Sequence, residues 1–206
     1  MSHAFHGYSD RINHALAFTA KYRAPHAPRE GAMTFQAHPA NVAIILARHS
    51  ADETTIVAGI LHHVLEVTPS VDHGELVTKI ADKFGSVILA VARDAVVPQF
   101  DDRGLPLPLA QRKRVLLGQL LMMDPRALDI CCADEIHQCG TAIALVERLG
   151  EEYLTPHGLP SGPPALSWYA DVLGALDQRD DWPTRGMRHE LATLRSRLEA
   201  CLAQGE

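Results

Sequence analysis

The sequence predicts an all-α protein, one helical bundle in a single domain spanning residues 1–206. Two observations carry that prediction. Apolar residues recur at i, i+3, i+4 and i+7 in every long segment, and no segment alternates apolar and polar residues as a half-buried strand does. Composition agrees: 47% of residues are hydrophobic but only 5% are aromatic. Small and branched aliphatic side chains therefore build the core, and Ala and Leu favour helix over sheet.

The elements follow in order. Residues 8–22 form a first helix, with Ile12, Ala15, Leu16 and Thr19 on one face. A loop rich in Pro and charge, 24–37, leads to Pro39, which suits a helix start because its missing N–H costs nothing there. Val42, Ile45, Leu46 and His49 continue that helix. Ser50 and Glu53 have the Ser-x-x-Glu spacing of a capping box and open a third helix. Its broad apolar stripe is Ile56, Val57, Ile60, Leu61, Val64 and Leu65. The other side carries Thr55, Gly59, His62, His63 and Glu66 and has no Lys or Arg, unlike an ordinary solvated face. Helices 72–84 and 86–97 are punctuated by Gly85, and 98–108 is a Pro-rich loop. Helices resume at 109–122 and 125–150, the second started by Asp124-Pro125. After a Pro/Gly-rich loop, 155–164, helices 166–178 and 184–203 close the chain. At most a short hairpin is expected beyond these helices.

Composition narrows the function. The net charge of -6 argues against general nucleic-acid binding. No run of about 18 apolar residues exists to span a membrane, and the polar start, Met1–Asp10, has no signal-peptide pattern. Cys131, Cys132, Cys139 and Cys201 lack Cys-x-x-Cys spacing and read as buried thiols of a reducing cytoplasm. A cytoplasmic protein is expected, its oligomeric state open.

Three places among the 12 histidines and the acidic residues suggest chemistry. One is His38 beside Pro39. Another is His62-His63 with Glu66 on one helix. The third is Asp134, with Gln138 and Thr141 at i+4 and i+7 on its face. Imidazole and carboxylate together suit a divalent transition metal, which lowers the pKa of bound water and shields phosphate charge. A Glu one turn from a ligand can manage the proton. An Asp inside an apolar helix is costly to bury without a partner.

These residues carry a resemblance. His38-Pro39, then His62-His63-Val64-Leu65-Glu66, then Ala133-Asp134 resemble the hydrolase domain of RelA/SpoT homologues, which reads His-Pro, His-Asp-Val-Val-Glu-Asp and Ala-Asp-x-x-x-Asn at this spacing. Arg29 lies nine residues before His38, where the family has Arg-Lys. Phe84-Gly85, Asp101-Asp102-Arg103-Gly104-Leu105-Pro106, Gln111-Arg112-Lys113-Arg114 and Trp168-Tyr169 resemble further signatures of the small, single-domain alarmone hydrolases of the HD type. The resemblance implies an HD-domain bundle that removes pyrophosphate from a guanosine alarmone, (p)ppGpp. It implies metal ligands His38, His62 and Asp134, with His63 as a further candidate, and Mn²⁺ as the metal. It makes Glu66 the group that orients or deprotonates the attacking water. Arg29 would lie on the guanine, and Gln138 and Thr141 would line the nucleotide pocket. Arg112 and Lys113 read either as phosphate-steering groups or as a solvated basic face.

The chain also departs from the family. His63 replaces an Asp, Val67 an Asp, Glu30 a Lys, Gln138 an Asn and Cys131 a Lys. A His ligand is neutral when it binds, so the site loses about one negative charge and its preference moves from Mn²⁺ toward Zn²⁺, Fe²⁺ or Ni²⁺. The expectation is an enzyme of altered or weakened activity. The alternative is a degenerate protein that holds nucleotide or metal without turnover. An interaction module with an incidental His cluster accounts poorly for Asp134.

Overall fold

The computed structural model describes residues 9–22, 32–69, 73–155 and 159–204. Among these the chain is all-α: α1 (Asp10–Lys21), α2 (Ala32–Arg48), α3 (Glu53–Glu66), α4 (His73–Phe84), α5 (Ser86–Asp94), α6 (Leu109–Leu120), α7 (Pro125–Leu149), α8 (Gly162–Asp177) and α9 (Arg185–Ala203), with a 3₁₀ turn at Glu151–Tyr153. The described residues contain no strand, only an isolated antiparallel bridge between Phe100 and Pro106. The helical-bundle prediction holds. Two compact units divide the chain, residues 1–130 and 131–206, and their boundary falls inside the continuous helix α7.

Helix α3 is the centre of the first unit, packed by α1, α2 and α5. Residues 55–62, 64 and 65 are all buried. This explains the face without long charged side chains: it is buried against neighbouring helices rather than solvated. Gly59 is the contact point. A Cβ there would stand 2.6 Å from Leu46 Cδ1 on α2, so a larger residue would make the end of the Leu46 side chain shift.

Two expected helix starts are corrected. The loop 24–37 was too long: α2 begins at Ala32, and Pro39 lies inside it. An interior proline removes one backbone bond and costs about 3 kcal/mol. Pro39 is buried, so its apolar ring recovers part of that cost. His38 is therefore a mid-helix residue rather than a cap. Helix α3 does not use the Ser50–Glu53 box. Ser50 has a positive φ of 63°, and Asp52 caps the helix, its Oδ1 accepting from the Thr55 N–H and the Thr55 hydroxyl, each at 2.8 Å. Glu53 instead accepts from the Ser9 hydroxyl at the α1 start and from Arg11. Two further bounds move. α5 stops at Asp94 instead of 97, because the approach to Pro98 disfavours helical backbone. α8 starts at Gly162, taking Pro163-Pro164 into its first turn, where proline is tolerated.

The second unit closes with α8 and α9, joined by 178–184. Trp182, Met187, Leu191 and Leu198 are buried there. Arg188 pairs with both oxygens of Asp177, and Arg179 with both of Asp181. All four cysteines are free thiols. No helix among the described residues is long and apolar enough to cross a membrane.

Candidate metal centre

His62 is the best-fixed residue of the cluster. It is buried in α3, and its Nδ1 lies 2.6 Å from the Gly59 carbonyl oxygen one turn back. A carbonyl only accepts, so Nδ1 carries the proton and Nε2 carries the lone pair. That is how proteins set the tautomer of a ligating imidazole.

His38, on α2, has its pKa lowered by burial from 6.5 to about 4. It is neutral at physiological pH and able to donate its lone pair. Its ring lies 4.5 Å from that of His63 and 6.2 Å from that of His62, centroid to centroid.

Asp134 stands on α7, one turn past Ile130. Its Oδ2 accepts from the Gln138 amide at 2.9 Å, so the i+4 residue orients the carboxylate. One ligand atom from each of His38, His62 and Asp134 lies within 4.8 Å of the others. Atoms sharing one ion through bonds of about 2.0–2.2 Å lie within about 4.4 Å of one another, so a small inward adjustment of these side chains would let them share one. Two imidazole nitrogens and one carboxylate oxygen are also the donor chemistry that a divalent transition metal takes. The cluster can coordinate a divalent metal.

The other predicted residues stand as follows. His63 is outside that trio but adjoins it through His38, and its Nδ1 is 4.0 Å from Glu66 Oε2. Glu66 is half-buried at the end of α3, and its Oε1 accepts from Gln99 at 2.9 Å. Thr141 donates to the His137 carbonyl of its own helix at 2.9 Å. Arg29 lies outside the described residues.

Two features were missed in the sequence. The carboxylate deepest in α7 is Glu135, 4% exposed, whereas its neighbour Asp134 is only half-buried. Glu135 accepts from the Trp168 indole N–H at 2.8 Å. Burial, aided by the Glu135 charge, pushes the Cys139 thiol up to about 12 against an opposing hydrogen bond with Tyr169. Burial likewise raises the Tyr169 phenol, with Glu135, Cys139 and Asp134 adding to it. Trp168 could have suggested a partner, since a buried indole needs an acceptor. The second feature is the approach of Gln99 to Glu66, made by a loop without periodicity, with Arg112 of α6 bonded to Gln99.

Comparison with known proteins agrees with the fold. No curated protein matches the chain in sequence. A crystal structure of lmo0812 from Listeria monocytogenes EGD-e superposes with a TM-score of 0.61 at 16% identity, covering 81% of this chain and 99% of that one. A metazoan ortholog of SpoT, which hydrolyses ppGpp and plays a role in starvation responses, superposes with a TM-score of 0.60 at 18% identity, covering 96% of each chain. At these identities the likeness concerns the fold. The family model of the HD domain matches residues 15–148, well over half of the sequence and the whole stretch from His38 to Asp134. The chain belongs to the HD domain family.

Proposed function

We propose that this chain is a metal-dependent nucleotide pyrophosphohydrolase that acts on a guanosine alarmone of the (p)ppGpp type, at a reduced rate, as a single cytoplasmic domain. The observation that carries the reading is the convergence of His38, His62 and Asp134 with Glu66 one turn beyond His62. The similarity to a metazoan protein that hydrolyses ppGpp supports the substrate class.

In this reading His38, His62 and Asp134 hold the ion, with His63 as a further ligand and Mn²⁺, Zn²⁺, Fe²⁺ or Ni²⁺ as candidates. The ion, when bound, supplies Lewis acidity and shields the phosphate charge. Glu66 accepts a proton from the attacking water as its oxygen bonds to the phosphorus nearest the sugar. The bond from that phosphorus to the 3′ oxygen breaks, pyrophosphate leaves, and the 3′ oxygen takes up a proton. Arg29 contacts the base, and Gln138 and Thr141 border the nucleotide. Val67 cannot relay a proton, and a positioned acid or base contributes about 10²- to 10⁴-fold; the rate is reduced for that reason. The second reading, nucleotide binding without turnover, rests on the same substitution.

The test is a pyrophosphate-release screen against (p)ppGpp, (p)ppApp and common nucleotides with Mn²⁺, Zn²⁺ or Fe²⁺, run on wild type and on the double variant His63→Asp with Val67→Asp. Weak wild-type release that the double change raises is expected. Robust wild-type turnover abolished by the double change would contradict the weakened site. No turnover by either protein, with no nucleotide binding in calorimetry, would end the alarmone assignment.

A further inference from the structure

The segment that the helical periodicity skips, 98–108, ends its chain of contacts on Glu66. It is a tight turn with its own bonding. Asp101 N donates to Leu105 O and Leu107 N to Gln99 O, each at 2.8 Å, and Gly104 N donates to Asp101 O at 2.9 Å. The Asp101 side chain accepts from the Arg103 and Leu105 N–H groups at 2.9 and 2.8 Å. Gly104 supplies the positive φ, 76°, that the reversal needs. The backbone of Gln99 is therefore fixed from across the turn.

The side chain of Gln99 is fixed as well. Its Oε1 accepts from Arg112 Nη1 on α6. Its amide nitrogen donates to Glu66 Oε1 at 2.9 Å and to the Val97 carbonyl at 3.3 Å. A guanidinium only donates and an ionised carboxylate only accepts, so the amide has one orientation that serves both. The remaining oxygen of Glu66, Oε2, is the one beside His63.

We propose that Gln99 and Arg112 are positioning residues for Glu66: the 98–108 turn sets Gln99, Arg112 orients its amide, and the amide holds one carboxylate oxygen so that the other faces the histidine cluster. The interposed amide matters chemically. A guanidinium bonded directly to Glu66 would form an ion pair and draw on both oxygens. A neutral amide takes a single oxygen and brings no positive charge against the carboxylate. In the run Gln111-Arg112-Lys113-Arg114, Arg112 then does more than solvate a face.

The inference rests on Glu66 acting in a hydrolase, so its test has one arm that does not need turnover. In the full-length protein, the side-chain amide signals of Gln99 are identified in nitrogen-15 NMR as the pair lost in Gln99→Met. That pair should move in both Glu66→Ala and Arg112→Met. If Arg112→Met does not fold, Glu66→Ala read on the same pair decides. A pair that stays in place overturns the proposal whether or not the protein turns over (p)ppGpp. In the activity arm, Gln99→Met should lower kcat about ten-fold with KM and bound metal unchanged, and Arg112→Lys should retain more kcat than Arg112→Met. Wild-type turnover that Gln99→Met leaves intact, or metal lost from Gln99→Met, would also overturn it. Absence of wild-type turnover with a moving amide pair would count against the hydrolase reading alone.

Discussion

Two helical turns, His62–Glu66 of α3 and Asp134–Cys139 of α7, each bury one polar side chain and leave others half-exposed, but the buried ones differ in use. Buried His62 bonds through Nδ1 to a carbonyl of its own helix, which leaves Nε2 directed elsewhere. Buried Glu135 is met by the Trp168 indole from α8, and its neighbour Asp134, 100° around the helix, contributes to the ligand cluster. Burial of a polar group is thus a poor guide to function by itself. The partner decides: a local partner that fixes a tautomer prepares a ligand, whereas a partner from another helix ties two elements together.

The comparison sharpens first at its chemical end. Glu66→Gln keeps the side-chain volume and should lower kcat by about 10²- to 10⁴-fold with little change in melting temperature. Pyrophosphate release and thermal melting, measured together, check it. A rate within a few-fold of wild type would remove Glu66 from proton transfer.

At the structural end, Glu135→Ala should behave in the opposite way. It leaves the Trp168 N–H without its acceptor, a loss of about 1–3 kcal/mol, while bound metal should persist because Asp134, not Glu135, belongs to the candidate ligand cluster. Glu135→Gln keeps an acceptor and should lose less. Urea unfolding separates the two variants. Metal lost along with stability in Glu135→Gln would mean that both carboxylates of this turn serve the ion.

How much of this was legible follows from the same two turns. A His with a Glu one turn on is readable as a ligand pattern, and so is an Asp within an apolar helix. The pattern could not rank Asp134 and Glu135 by depth, because helical phase gives direction and not the location of a packing partner. Pro39 misled for a related reason: proline favours a helix start locally, and only packing shows that α2 begins earlier, at Ala32. Ser50–Glu53 had the spacing of a capping box, but Asp52 took the role and Glu53 was drawn to Ser9 and Arg11 of another helix. The turn that carries Gln99 has no period at all. Its role arises from contacts 13 and 33 positions away, which no local rule encodes.

A smaller effect concerns His38. Its folded pKa, about 4, is below the 6.5 of an exposed histidine. The stability that comes from burying it neutral is complete above about pH 6.5 and is lost as the pH falls toward 4, by at most roughly 3 kcal/mol. Metal-free wild type should therefore weaken between pH 6.5 and 4 more steeply than metal-free His38→Leu. Equal slopes in urea titrations would show that His38 is not held neutral by its surroundings.

The central claim is that His38, His62 and Asp134 together hold one divalent ion. Elemental analysis of the protein after loading with Mn²⁺, Zn²⁺ or Fe²⁺ and removal of excess ion tests it most directly. The account predicts near-stoichiometric metal in wild type and little in Asp134→Ala or His62→Ala. Equal metal in wild type and both variants, or none in wild type with any of the three ions, would contradict it.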